Sequence, residues 1–196
     1  GRFSRPADAQ STVRRRPGPG YSAAMAGRFV LLLVSGVLIG GACSAGPEAP
    51  PVAGTERVCT ETFCISSPSG WVIEDEGETY VVFHHPSDPD KIRAAASGVN
   101  MEGLVTANGG TWPQGVSGVV DVFWAALDGG NASLAEKRAL ADGSVESVGA
   151  FEAGRLWFRL IGLDSINGLG VEVRGPNSSW ESHAEVFLDG FEPLGP

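Results

Sequence analysis

The chain has 196 residues, with 14 basic and 23 acidic side chains and a net charge of −9 at pH 7. Six of the basic residues and one of the acidic residues precede Cys43, so the part from Cys43 onward has eight basic against 22 acidic residues and a net charge of −14. A surface this negative repels phosphate groups, which argues against binding to nucleic acid or to anionic lipid headgroups.

Residues 25–42 have the layout of a secretory signal. Arg28 precedes the apolar run Phe29–Ile39, small residues occupy positions 40–42, and Cys43 follows directly. The run of 11 residues is too short to span a bilayer, which takes about 20 apolar residues, whereas this order of segments is typical of secretion signals. Because the cysteine resembles the lipid-bearing residue of bacterial lipoproteins, we expect a lipid on Cys43 and a location on the outer face of the cytoplasmic membrane. The alternative is an ordinary cleaved signal that leaves Cys43 as an odd thiol in a secreted protein.

Two segments beside the signal show no helix or strand pattern. Residues 1–24 do not begin with Met and are rich in Arg, Pro, Ser and Gly, a composition that does not bury enough apolar surface to fold. They are either an extended basic start to the signal or translated upstream sequence with the true start at Met25, and we favour the second. Residues 43–55 are rich in Pro, Gly and Ala and are predicted to form a semi-extended tether. The remaining residues, 56–194, are predicted to form a single domain, since a chain of this size buries about 70% of its unfolded surface.

Cys59 and Cys64 open the domain. Two cysteines in a secreted protein are expected to pair, and they come within disulfide reach if their flanking residues form facing strands around Thr60–Phe63. A thioredoxin-type redox pair has two intervening residues and a zinc site needs two further ligands, and neither is visible in the sequence. We therefore predict a structural disulfide.

Strand and helix patterns alternate along the rest of the domain. A hairpin is predicted over Trp71–His84, a weaker strand over Ala94–Met101 and a meander of three antiparallel strands over Val145–Arg174. Two helices are predicted from apolar stripes at helical spacing, and the second is expected to begin at a capping box. The stripes are Val116, Val119, Val120, Phe123, Trp124 and Leu127 in the first helix and Trp180, Ala184, Phe187, Leu188 and Phe191 in the second, whose box is Ser178 with Glu181. The predicted fold is α+β, with an antiparallel β-sheet sandwiched with two amphipathic helices and an N-terminal hairpin closed by a disulfide.

This order of elements resembles the PsbP and Mog1-like fold, which recurs among small lipoproteins of high-GC Gram-positive bacteria. The resemblance covers Phe63–Glu192 and rests on the Gly-Trp pair in Ser67–Trp71, the hairpin, the central helix, the long meander and a closing helix that ends in Phe. It implies an assembly or binding protein without catalysis of its own. It has no site motif, so no functional residue follows from it.

One candidate site is an anion- or ligand-binding rim made of Arg174, Ser178 and His183, because an arginine beside the free amides of a helix start attracts anions. Trp112, in a glycine-rich loop, is a further rim candidate. The alternatives are that Ser178 and Glu181 already satisfy those amides, that Arg174 pairs with a carboxylate of the sheet, and that Trp112 covers the core. His183 is expected near the edge of the inner face of its helix.

The histidines and the missing motifs limit the chemistry. His84 and His85 are adjacent on a strand and therefore point to opposite faces, so they do not share a metal ion. His84 with Asp88 or Asp90 makes at most a weak metal site, and the alternative is a polar strand end. The sequence contains no nucleophile elbow, zinc-binding helix motif or phosphate-binding loop, and we predict no metal and no cofactor.

The expected function is that of a non-catalytic cell-envelope lipoprotein. It would be attached to the membrane by a lipid on Cys43 and would bind a protein partner or a small ligand, but no nucleic acid. The alternative is a hydrolase-like envelope enzyme with a dispersed site near His183 or His84. A histidine that meets Ser or Asp inside a pocket would favour the enzyme, and a shallow acidic or apolar surface would favour binding.

Overall fold

The structure is a computed structural model that describes residues 49–50 and 52–194. The predicted signal, Cys43 and the first part of the tether lie outside the described residues. No helix in the described part is long and apolar enough to cross a membrane.

Within residues 49–50 and 52–194, ten strands and three α-helices follow one another. The strands are β1 Thr55–Cys59, β2 Phe63–Pro68, β3 Val72–Gly77, β4 Tyr80–His84, β5 Arg93–Asn100, β6 Ser133–Ala139, β7 Val145–Phe151, β8 Gly154–Gly162, β9 Asn167–Gly175 and β10 Glu192–Pro193. The α-helices are α1 Met101–Ala107, α2 Val116–Ala126 and α3 Glu181–Asp189, and 3₁₀ turns cover Leu127–Gly130 and Ser178–Trp180.

The strands form two antiparallel sheets. The smaller sheet has the order β1-β2-β10, and the larger has the order β3-β4-β5-β9-β8-β7-β6. In the smaller sheet Cys59 lies opposite Cys64, and their sulfur atoms are bonded at 2.04 Å. The predicted hairpin, its disulfide and the α+β class are therefore confirmed.

Each face of the larger sheet has its own hydrophobic core, and β8 contributes to both. Leu156, Phe158 and Leu160 pack on the side of α1 and α2, whereas Trp157 and Ile161 pack on the side of α3 and the smaller sheet. The alternation of β8 predicts this division, because successive side chains of a strand point to opposite faces. The two apolar stripes of α2 and α3 meet these cores as predicted.

The start of the closing helix differs from the prediction. The residues at Ser178–Trp180 form a 3₁₀ turn, and the cap is Asn177, whose Oδ1 accepts a hydrogen bond from the backbone N–H of Ser179 at 2.9 Å. The capping box of Ser178 with Glu181 is therefore wrong. Asn caps a helix start as well as Ser does, and here it stands one residue earlier.

Candidate functional site

The four predicted rim residues lie in different parts of the fold. Trp112 is half-buried in the loop between α1 and α2 and packs against the core on that side. Arg174 lies opposite Leu156 in the register of β9 and β8, which places it on the same side of the sheet as α2. Ser178 and His183 lie at the start of α3, on the other side. The four residues are therefore divided between the two sides of the larger sheet and do not form one site.

Arg174 belongs to a row of paired charges on the α2 side of the larger sheet. Its Nη2 lies 3.0 Å from Oε1 of Glu172. Arg93 is its cross-strand neighbour, and its own Nη2 lies 2.6 Å from Oε2 of Glu74. Each arginine thus has its own carboxylate, which weakens its attraction for a free anion.

His84 faces this row and His85 faces the opposite side, as the strand alternation predicts. The Nδ1 atom of His84 lies 3.8 Å from Oε2 of Glu74, while Asp88 pairs with Lys91 at 3.6 Å. His84 and Asp88 therefore have different partners. Within residues 49–50 and 52–194, no three His, Cys, Asp or Glu side chains are placed to hold a metal ion.

His183 is buried, with 1% of its surface exposed, so its expected position at the edge of the helix face is wrong. Its Nδ1 accepts a hydrogen bond from Nε1 of Trp71 at 3.0 Å, and its Nε2 donates to the carbonyl oxygen of Pro50 at 2.7 Å. Because the indole N–H can only donate, the ring proton of neutral His183 lies on Nε2. Both ring nitrogens are occupied by the protein itself, so this geometry gives no support to a general-base role for His183.

His85 is a second histidine whose environment the sequence did not reveal. Its ring centroid lies 4.9 Å from that of Trp180 and 5.7 Å from that of Trp71. Burial, and then the nearby His183 and His84, lower the pKa of His85 below its ordinary value of 6.5. Its Nδ1 contacts Oγ of Ser87 at 2.8 Å, but this contact lies within one exposed turn, where Ser commonly stabilises the backbone.

A shallow cleft of about 470 Å³ opens to solvent beside the turn between β7 and β8. It is lined by Asp128, Asn131, Ser133, Ala150, Phe151 and Glu152. A shallow acidic surface of this kind favours binding over catalysis, because catalysis needs a site that excludes water around converging groups.

The turn between β8 and β9 presents two exposed apolar side chains, and we call Leu163–Ile166 the tip. Leu163 is 51% exposed and Ile166 is 39% exposed. Oδ1 of Asp164 accepts hydrogen bonds from the backbone N–H groups of Ile166 at 2.6 Å and Asn167 at 2.7 Å. Oδ2 of Asp164 accepts from the side-chain amide of Asn167 at 2.9 Å, and Met101 N–H donates to the carbonyl of Ile166 at 2.8 Å. The tip is therefore a rigid turn.

The same hydrogen bonds change the pKa of Asp164 in the tip. The side chain of Asn167, and then the two backbone N–H groups, lower the pKa of Asp164 below its ordinary value of 3.8. The carboxylate therefore stays charged and accepting throughout the neutral range. The sequence pattern predicts only that these residues lie in the meander, because exposure of single apolar residues has no sequence signal.

The basic side chains of the described part are almost all neutralised. Seven of the eight lie within 4.0 Å of a carboxylate, and the eighth, Arg155, stacks on Trp157 with its Cζ 5.8 Å from the ring centroid. The described part contains 21 carboxylates, of which seven pair with these cations as their principal partners, so 14 have no cationic partner there. The field outside the molecule is therefore that of the unpaired carboxylates.

Comparison with known proteins supports the fold. No model of a known protein family matches the chain, and no curated protein matches its sequence. The chain is similar to the solution structure of cyanobacterial PsbP (CyanoP) from Synechocystis sp. PCC 6803, with a TM-score of 0.50 and 13% identity over 79% of this chain and 98% of that chain. The fold is PsbP-like.

A second similarity is weaker. A crystal structure from Bacteroides thetaiotaomicron matches 68% of this chain and 45% of that chain, with 14% identity and a TM-score of 0.38. Identities this low concern the fold alone. The similarity to the cyanobacterial protein, and not this second one, confirms at the level of architecture the resemblance to PsbP predicted from the order of elements.

Proposed function

We propose that this protein is a non-catalytic lipoprotein of the cell envelope, anchored on the outer face of the cytoplasmic membrane by a lipid on Cys43, and that it binds a partner protein through the tip. The observation that carries the proposal is the rigid presentation of two exposed aliphatic side chains, Leu163 and Ile166. The PsbP-like fold is compatible with it, since the resemblance implies binding without catalysis.

Rigidity is what makes the tip suited to binding. A protein interface gains most from a few apolar anchors that enter pockets of the partner. A flexible loop loses conformational freedom when it docks, and fixing the backbone costs about 1–2 kcal/mol for each ordered residue. The hydrogen bonds of Asp164 have already fixed the backbone on both sides of Ile166, so most of the backbone cost is absent.

The charge of the molecule indicates the chemistry of the partner. Unpaired carboxylates outnumber the single unpaired cation of the described part, Arg155, so the long-range field attracts a basic surface. Complementary charge raises the association rate and excludes acidic competitors. The expected partner has an apolar pocket for the tip within a basic surface.

The anchor is tested by mass spectrometry of the mature protein from the cells that make it. We expect Cys43 to be the first residue and to bear the mass of a lipid. Cys43→Ser should remain uncut or be released in soluble form. A wild-type protein that starts at another residue and is fully soluble would contradict the anchor.

The partner contact is tested by placing a photo-crosslinking amino acid at Leu163 in the same cells. Leu194 is the matched control, since it is also a leucine and is 43% exposed. We expect one discrete adduct from position 163, no adduct of that mass from position 194, and a yield reduced by Ile166→Ser. The same adducts from both positions, or none from position 163, would refute the tip as the contact.

A further inference from the structure

The tether is already bound to the body before β1 begins. The backbone N–H of Ala49 donates to Oγ of Ser179 at 3.2 Å, and the carbonyl of Pro50 accepts from Nε2 of His183 at 2.7 Å. Ala49 also packs against the core on the α3 side. We call Ala49–Pro50 the strap.

The strap accepts a hydrogen bond from His183, whose buried N–H requires an acceptor. Since Trp71 occupies Nδ1 of His183, the Nε2–H of this buried ring has the Pro50 carbonyl as its acceptor. Without that carbonyl, a buried donor would lose its hydrogen bond, which is unfavourable for folding. The α3 start and the strap therefore stabilise each other.

The strap shortens the segment that links an anchor on Cys43 to the body. We call the segment from Cys43 to Ala49 the leash. Ala49 lies six residue steps after Cys43, and a fully extended chain of that length reaches about 22 Å. If the tether were free as far as Thr55, the twelve steps from Cys43 would reach about 43 Å. The docked strap thus halves the distance that the body can move from the bilayer.

The strap also selects which end of the larger sheet is near the anchor. In the register of β8 and β9, Arg155 pairs with Gly175 at the end next to the α3 start, and Gly162 pairs with Gly168 at the end that bears the tip. The nine residues of β8 span about 30 Å at about 3.3 Å per residue. The strap and the tip therefore lie at opposite ends of the sheet.

We infer that the strap makes the α3 end of the larger sheet the membrane-facing end of the lipid-anchored protein, so that the tip is held on the side away from the bilayer. The inference rests on the proposed anchor at Cys43. It explains how a short tether leaves the tip accessible. The leash of about 22 Å is shorter than the about 30 Å between the two ends of the sheet, so the body does not invert end over end unless the contacts of His183 and Ser179 break.

The experiment uses mature protein beginning at Cys43, which contains every described element. With Cys59 and Cys64 joined in the disulfide, Cys43 supplies the free thiol, and it is coupled to maleimide lipid in phosphatidylcholine vesicles. A fluorescent amino acid replaces either Asp90, in the loop between β4 and β5, or Ser165, in the tip; both positions are exposed. Energy transfer to headgroup-labelled acceptor lipid is measured, and we expect more transfer from position 90 than from position 165.

Two matched insertions isolate the strap. Twelve Gly and Ser residues are inserted either between Gly46 and Pro47, before the strap, or between Val52 and Ala53, after it. The first insertion should lower transfer from position 90 about twofold or more, because the root-mean-square reach of the leash grows from about 13 to about 23 Å. The second insertion should leave transfer unchanged, because the strap stays docked and the segment between Cys43 and the strap keeps its length.

Equal effects of the two insertions would overturn the inference, and so would greater transfer from the tip than from position 90. Since the lipid is attached chemically, this result does not depend on processing in the cell. Absence of lipid on Cys43 in cells would refute the anchor of the proposed function instead, and the two failures are therefore distinguishable.

Discussion

At the scale of single residues, the histidines acquire their properties from residues distant in the chain. His183 meets Trp71, which stands 112 positions earlier, and Pro50, 133 positions earlier. His85 packs beside the same tryptophan and beside Trp180. The alternation of a strand was enough to predict that His84 and His85 face opposite sides. Nothing local predicts the burial of His183, because the indole that fills its Nδ1 comes from another part of the fold.

The environment of His85 predicts that the free energy of unfolding decreases on mild acidification. Burial, and then His183 and His84, lower the pKa of His85 in the folded state. The unfolded chain therefore takes up this proton at a higher pH than the folded chain, and protonation below about pH 6.5 favours unfolding. We expect the urea midpoint to fall between pH 7.5 and pH 5.5, and to fall less in His85→Gln. An equal fall in both proteins would contradict a role for His85.

At the scale of elements, strong local patterns in the sequence are sufficient to predict most of the strands and helices. The stripe of α2, the three strands β7, β8 and β9, and the Cys59–Cys64 hairpin follow from the sequence because each has a clear period or pairing. Three elements were missed, one of which is β10, whose two residues are too few for a pattern. Strand β6 is exposed at every residue and so has no alternation, and α1 has only seven residues and begins at the Asn100 cap, where the sequence continues a strand pattern.

The closing helix yields a prediction at this scale. Phe187 is fully buried, with its ring centroid 4.8 Å from that of Trp71 and 5.3 Å from that of Phe83. Phe187→Ala should lower the free energy of unfolding by about 3–5 kcal/mol, since it leaves a cavity between two sheets and a helix. The control Glu185→Ala, on the exposed face, should change it by less than about 0.5 kcal/mol. Urea unfolding measures both. Wild-type stability of Phe187→Ala would mean that α3 does not pack as described.

At the scale of the whole molecule, charge and the proposed anchor would act in opposite directions. The part from Cys43 onward has a net charge of −14, and the basic residues that would attract lipid phosphate are nearly all paired within the protein. Such a body is repelled by an anionic membrane, while a lipid on Cys43 would hold it near the bilayer through the short leash before the strap. The sequence predicted the sign of this charge, but only the structure showed that pairing removes the cations from the surface field.

This opposition predicts that the distance from the bilayer depends on lipid charge and on salt. The anchored protein labelled at position 90 should show less energy transfer on phosphatidylglycerol vesicles than on phosphatidylcholine vesicles at 10 mM salt, where the screening length of about 30 Å exceeds the leash of about 22 Å. The difference should disappear near 1 M salt, where the screening length is about 3 Å. On neutral vesicles the transfer should not change with salt, which is the matched control.

Glu181→Gln with Glu185→Gln, two exposed carboxylates of α3, should reduce the difference at low salt. Transfer that is independent of lipid charge at 10 mM salt would show that the negative field does not reach the membrane from this end of the molecule.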